Sequence, residues 1–266
     1  MVQINIGCAG WDYKDWIGPF YPRSLEKYRY LEYYSKYFDI VEINSTFYNI
    51  PSEMAVNKWL IQTPDEFRFI VKVWQEITHK KIDNDIISKI SQFFSRLEPL
   101  NEKIIAYLVQ FPPWFKYSDK HLKQLHLLKN ELPSDLTYMI ELRDDSWIRS
   151  DSLSKIIDGK NFALVTSYLE GINPYYLPNQ QKYYIRLIGD RKLTIFNRVQ
   201  RTNVDTLEDL DLNMHKLINS PEVYQIFIIV NNHYSGFAPE TANILKMKFD
   251  VPVKHFSTQK KLSDFF

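Results

Sequence analysis

Cysteine is almost missing from this chain: Cys8 is the only one in 266 residues. A lone thiol excludes an internal disulfide and fits a reducing cytoplasm, the expected location. Long apolar runs are missing too. The longest clear one, residues 226–230, is far too short to cross a bilayer, so no membrane partner is expected. The first residues lack the basic-then-apolar order of a secretory signal. No charge sign dominates either. The formal net charge is +1, which leaves no chain-wide attraction for nucleic acid or membrane. Chemistry-bearing motifs are equally scarce. No glycine-rich phosphate loop follows the first candidate strand, where GWDYKDWIGPFYP forms an aromatic loop instead. HExxH, Cys/His clusters and a Gly-x-Ser-x-Gly elbow do not occur. No cofactor is therefore expected. A divalent metal would need a mixed site of Glu42, Glu141 and His79, which the cations Lys72, Arg143 and Arg186 would repel.

What is present is an alternation. Eight short segments rich in β-branched and aromatic residues lie at 4–9, 40–45, 67–73, 104–111, 137–142, 162–168, 183–188 and 225–230. Between most of them, apolar residues recur at helical spacing, as in Leu31/Tyr34/Tyr37/Phe38, Ile86/Ile90/Phe93/Leu97 and Leu122/Leu125/Leu128. The sixth connection, 169–181, is too irregular for a helix. Strands alternating with helices over a length close to ~250 residues indicate an α/β fold. We read it as a single (β/α)8 TIM-like barrel over 1–250, with a short C-terminal tail at 251–266. An open doubly wound sheet is the alternative.

Parallel strands covered on both faces normally read as unbroken apolar runs. Here they carry polar residues toward their C-terminal ends: Glu42 with Asn44, Lys72, Gln110, Glu141 with Arg143, Arg186, and Asn231 with Asn232. Period two places Glu42 with Asn44, and Glu141 with Arg143, on single faces. Barrel enzymes build their sites at these strand ends. The expected catalytic group is Glu42, Glu141, Lys72, Arg143 and Arg186, with Asn44, Tyr48, Gln110, Trp147, Asn231 and Asn232 binding substrate. Three cations at one mouth suit an anionic ligand, since arginine donates in a fork to phosphate or carboxylate. The basic segment RLIGDRKLTIFNRVQR at 186–201 adds a candidate phosphate loop. Two carboxylates among aromatic rings also raise glycoside hydrolysis. The structural alternative is an ion network that merely plugs the barrel.

The same stretches carry a resemblance. GCAGWDYKDWIGPFYP, VEINSTFYNIPS, the ITH at 77–79, LVQFPPWF, IELRDDSW, YYIRLIGD and NNHYSGFAPETAN resemble, in that order, the YecE-like family, a domain of unknown function, over about residues 4–248. The resemblance implies a β/α barrel and leaves the activity open. Three positions depart from the family pattern: Ile188 and Asp144 stand where His is usual, and His233 where Asp is common.

The final eight residues, QKKLSDFF, resemble the peptide by which replication and repair proteins bind the sliding clamp PCNA. Gln259, Leu262, Phe265 and Phe266 occupy its fixed positions, and one helical turn would gather Leu262 and the two rings into an apolar pocket. That form of the peptide implies an archaeal source and DNA as a possible partner. The expectation is a DNA-processing or repair phosphodiesterase recruited by the clamp. In it Glu42 or Glu141 would activate water, and Lys72, Arg143 and Arg186 would stabilise phosphate. The alternatives are a metabolic barrel enzyme acting on a small anionic sugar or phosphate, and a non-catalytic clamp-bound adaptor.

Overall fold

A computed structural model describes residues 2–80, 84–148 and 153–256. Eight strands, β1 (Gln3–Ala9), β2 (Ile40–Ile43), β3 (Arg68–Lys72), β4 (Ile104–Gln110), β5 (Tyr138–Glu141), β6 (Phe162–Leu169), β7 (Lys182–Gly189) and β8 (Gln225–Val230), pair in chain order and close into a barrel. Every pairing is parallel, including the closing one of β1 with β8. The α-helices among the described residues are α1 (Tyr30–Tyr34), α2 (Glu53–Gln62), α3 (Gln75–Thr78), α4 (Asn84–Leu97), α5 (Asp119–Glu131), α6 (Val204–Ile218), α7 (Asn232–Ser235) and α8 (Ala238–Lys248). None of them is long and apolar enough to cross a membrane. The fold is the expected α/β barrel.

Local chemistry sets the element ends. Ser52 and Ser118 accept from the backbone N–H groups of Ala55 and His121 at 3.2 Å each, which satisfies donors left open at the starts of α2 and α5. Strand β2 stops at Ile43, short of the expected Ser45. The Thr46 hydroxyl donates to the carbonyls of Lys72 at 2.7 Å and Ile43 at 3.1 Å, and so folds 45–47 into a tight 3-10 turn over β3. The described residues from 170 to 181 contain no helix, as the sequence implied. There the buried amide of Gln180 stands in for a strand, accepting from Leu164 N–H and donating to Leu164 O at 3.2 Å.

Two apolar cores result. The larger lies between strands and helices. The smaller fills the barrel lumen with Ile40, Ile70, Leu108, Met139, Val165, Tyr184 and Phe227 among others. Strand alternation fixes which residues point inward, and a packed lumen of this kind is a core, not a channel. Gly7 marks the tightest approach between β1 and β2, since a Cβ there would lie inside contact distance of the Ile40 carbonyl. Backbone cannot yield as a side chain tip does. We expect Gly7→Ala to lose about 2–4 kcal/mol of stability in urea unfolding. A loss below about 0.5 kcal/mol would show that β1 and β2 are not packed as described.

Candidate functional site: an ionic layer at the barrel mouth

Two residues beyond six of the lumen-filling side chains, the inward face changes character. Glu42 follows Ile40, Lys72 follows Ile70, Gln110 follows Leu108, Glu141 follows Met139, Ser167 follows Val165 and Arg186 follows Tyr184. Register places Gln110 beside Glu141 and Ser167 beside Arg186. The uppermost layer of the lumen is therefore polar and ionic, at the strand ends where barrel sites lie.

Arg186 organises it. Its Nε donates to Glu42 Oε2 at 2.8 Å, its Nη2 to Glu42 Oε1 at 2.7 Å, and its Nη1 to Glu141 Oε2. Asn44 Nδ2 donates to Glu42 Oε1 at 2.7 Å, and the Tyr184 hydroxyl donates to Oε2. Arg143 Nε at 2.9 Å and the Ser167 hydroxyl at 3.2 Å reach Glu141 Oε1. Both carboxylates are 0% exposed, yet all four of their oxygens accept hydrogen bonds. Burial by itself would raise the Glu141 carboxyl, but the charges of Arg143, Arg186 and Lys72 outweigh it and hold the group down at about 2. Glu42 is likewise held below the usual carboxylate range, with Arg186 the main opponent of its desolvation.

Those facts revise the roles read from the sequence. Glu42 and Glu141 lie beneath the mouth, ionised and saturated, which suits positioning and not water activation. Three of the five N–H donors of Arg186 are spent on them, and its charge is already answered by two carboxylates. Glycoside hydrolysis needs substrate between two carboxylates, one of them a proton donor; here one guanidinium bridges both. His79, Glu42 and Glu141 do not gather, and no group of three or more His, Cys, Asp or Glu suited to a metal occurs among the described residues.

The cations left over define the mouth. Lys72, 8% exposed, has no ion pair among the described residues, and its Nζ lies 3.8 Å from the centroid of the Phe47 ring. Burial, reinforced by Arg186, pushes its pKa down to about 7, against the pull of Glu141 and Glu42. His79 packs edge-on against the same ring at 5.4 Å and is lowered by burial, then by Lys72 and Arg143. Arg143 uses only Nε on Glu141; its Nη groups have no protein acceptor among the described residues. Arg143 lines a cavity of about 540 Å³ with Tyr117, Asp144, Asp145 and Ser146. Across the barrel, Asn44 lines one of about 680 Å³ with Trp11, Tyr28, Lys58 and Trp59.

Other expected ligand contacts fall elsewhere. Gln110 is in the layer but donates to Phe111 O at 3.0 Å, and Tyr48 is exposed beside Phe47. Trp147 is not at the mouth: it is buried outside the barrel, stacked on Phe115 at 5.5 Å and donating to Phe115 O at 2.6 Å. Asn232 is also internal, accepting from Trp16 Nε1 at 3.1 Å and Ala238 N–H at 3.0 Å, so it pins the aromatic first loop to α8. Asn231 caps α7 through His233 N–H at 3.0 Å. The basic segment is largely neutralised, Lys192 by Glu170 at 2.8 Å and Arg201 by Asp190 at 2.8 Å. Tyr184, Ser167 and Phe47 were missed. The period-two pair Tyr184/Arg186 in YYIRL was the available signal for the first of them. Gln259, Leu262, Phe265 and Phe266 lie outside the described residues.

Arg186→Met would leave two buried carboxylates without their shared cation. We expect it to lose about 3–5 kcal/mol at pH 7. The loss should shrink near pH 4, where protonation relieves the unpaired charges. Denaturant unfolding at both pH values checks this, and an equal loss at each would contradict the network.

The family model described as "Protein of unknown function DUF72" matches residues 5–263. The UPF0759 protein YunF of Bacillus subtilis (strain 168) is 34% identical over 278 residues, covering 94% of this chain and 95% of that protein. The UPF0759 protein YecE of Escherichia coli (strain K12) is 30% identical over 141 residues, 53% of this chain and 48% of that one. Among solved structures, a DUF72 family protein from Thermotoga maritima MSB8 superposes with a TM-score of 0.75 at 25% identity, covering 93% of this chain and 99% of that one. One from Enterococcus faecalis V583 gives 0.73 at 23% identity, covering 95% and 99%. These relatives are bacterial, and the expectation of an archaeal source stands on the tail alone. The chain belongs to the DUF72 family, the YecE-like barrels that its motifs resemble.

Proposed function

We propose that the barrel mouth binds a small anionic substrate and performs acid–base chemistry on it through Lys72. The observation that carries this reading is the odd cation. Glu42 and Glu141 are matched by Arg186 and Arg143, while Lys72 has no carboxylate of its own among the described residues. With Lys72 neutral the five groups sum to zero; with it protonated they carry one positive charge. An arriving anion therefore favours the protonated amine, and its departure or conversion releases the proton. The open Nη groups of Arg143 supply forked donation. Of the enzyme readings, the metabolic one fits best, because saturated, buried carboxylates do not suit activation of water for phosphodiester cleavage.

Inorganic phosphate is a sufficient probe. Calorimetric titration at pH 8 in buffers of different ionisation enthalpy should show uptake of about one proton per phosphate bound, falling toward zero below pH 6. Affinity should weaken as pH rises through about 7. Arg186, Arg143, Glu42, Glu141 and His79 all face Lys72 electrostatically. His79, an imidazole held below its usual range by burial and by Lys72, is the other group that could take up a proton there, so His79→Gln separates the two. Binding with no proton uptake, or uptake that survives Lys72→Met, would refute the role given to Lys72.

A second reading concerns where the chain works. The spacing of Gln259, Leu262, Phe265 and Phe266 favours docking on a PCNA-type sliding clamp, which would raise local concentration at DNA despite the near-neutral net charge. A substrate met there would be a phosphate-bearing product of DNA processing, and the chain would act as an enzyme or as an adaptor. Phe265→Ala with Phe266→Ala should abolish capture of the full-length chain by immobilised PCNA without altering phosphate binding. Equal capture of variant and parent would remove the clamp from the account.

A further inference from the structure

We propose that Lys72 is a nucleophile, forming an imine with a carbonyl compound whose anionic group is held by Arg143. This rests on the reading of the mouth as an anion site and names the reacting group of the ligand. Among the described residues three lysines are buried: Lys72, Lys103 and Lys246. Lys103 donates to the carbonyls of Leu60, Thr63 and Pro64 at 3.2, 2.7 and 3.0 Å. Lys246 donates to Tyr37 O at 3.2 Å. Lys103 thus has several acceptors at the end of α2, and Lys246 has one carbonyl acceptor. Lys72 alone has no acceptor for its nitrogen among the described residues; only the face of Phe47 covers it.

A buried ammonium without acceptors is an unfavourable arrangement, and a neutral amine in the same place is not. Desolvation beside other cations is how amines are kept unprotonated and reactive at neutral pH. Arg143 supplies what a bare amine lacks, a fixed fork to orient a carboxylate or phosphate next to it. Conversion of the amine to an imine forms the Nζ–carbon bond and breaks the carbonyl C–O bond. Both amine hydrogens leave with that oxygen as water, relayed by His79 or solvent. No oxidant or further reactant is required. The neutral imine so formed takes up one proton from His79 or solvent, and as a protonated imine it carries the positive charge that the layer carries when an anion is bound.

The test traps the bond. The full chain at pH 7 is incubated with cyanoborohydride and either pyruvate, a carboxylate probe, or dihydroxyacetone phosphate, a phosphate probe. Acetone serves as the carbonyl without an anion. Peptide mass mapping then locates the adduct. One or both anionic probes should label Lys72 about tenfold or more above any other lysine, acetone should label it weakly, and inorganic phosphate should compete. Lys72→Arg, checked for its melting transition, should lose that label. No adduct, adducts scattered over exposed lysines, or acetone matching the anionic probes would overturn the proposal. Phosphate binding with proton uptake but no adduct would reject the nucleophile and keep the anion site, whereas absence of both would reject the two together.

Discussion

The guanidinium of Arg186, forked onto Glu42 and reaching across the lumen to Glu141, is the interaction on which the mouth depends. It joins β2, β5 and β7, strands that are not neighbours in the barrel wall. Two carboxylates without exposure are tolerable only because every oxygen has a donor and a cation lies within bonding distance of each. The bonds are as much a geometric device as a stabilising one. By consuming the carboxylates, Arg186 fixes the orientation of Asn44 and Arg143, the two residues through which the layer meets the cavities on either side.

That saturation creates the asymmetry at Lys72. Two negative charges answer two arginines, and a third cation is placed beside them with its nitrogen on an aromatic face. Lysine is the residue that can respond, because its proton is removable where the guanidinium of arginine stays charged. Coulomb attraction from two carboxylates already bonded to arginines is partly cancelled at Lys72 by those same arginines. Desolvation then decides, and the amine is driven down to about 7. A purely structural ion plug would gain nothing from a fifth, unmatched charge.

Much of this was legible beforehand, and the exceptions have physical reasons. Period-two alternation announced Glu42, Lys72, Gln110, Glu141 and Arg186 as inward-facing, because a strand leaves no choice of face once its apolar neighbours are buried. Past the strand ends that logic weakens. Arg143, two residues beyond β5, still meets Glu141 as the period-two pairing implied, whereas Asn231, just past β8, turns to cap α7, because there loop backbone and not pleat sets direction. Trp147 and Asn232 carried the right chemistry for a ligand wall but answer to long-range partners, Phe115 and Trp16, that no local pattern reveals. The counterion balance was equally hidden. Sequence shows which charges exist; only three-dimensional pairing shows that Arg186 is held by two carboxylates and Lys72 by none among the described residues.

The pairing also determines which groups sense pH. Glu141 stays ionised down to about 2 and Glu42 is likewise held low, so through the neutral range the carboxylates act as fixed charges. Their contribution to stability is present above the ordinary carboxylate range and is lost only as pH falls through it toward the folded values. Lys72 works in the opposite sense. Its folded value lies below the ordinary one, so the unfolded chain binds more protons between about 7 and 10.5, and stability from this group rises with pH across that interval. The fold therefore accepts a cost at neutral pH to keep an amine half-charged at its mouth. Phe47 concentrates that cost in one place, with Lys72 on its face and His79 at its edge. Each disfavours protonation of the other, which separates their ionisations and lets one gain a proton as the other gives it up.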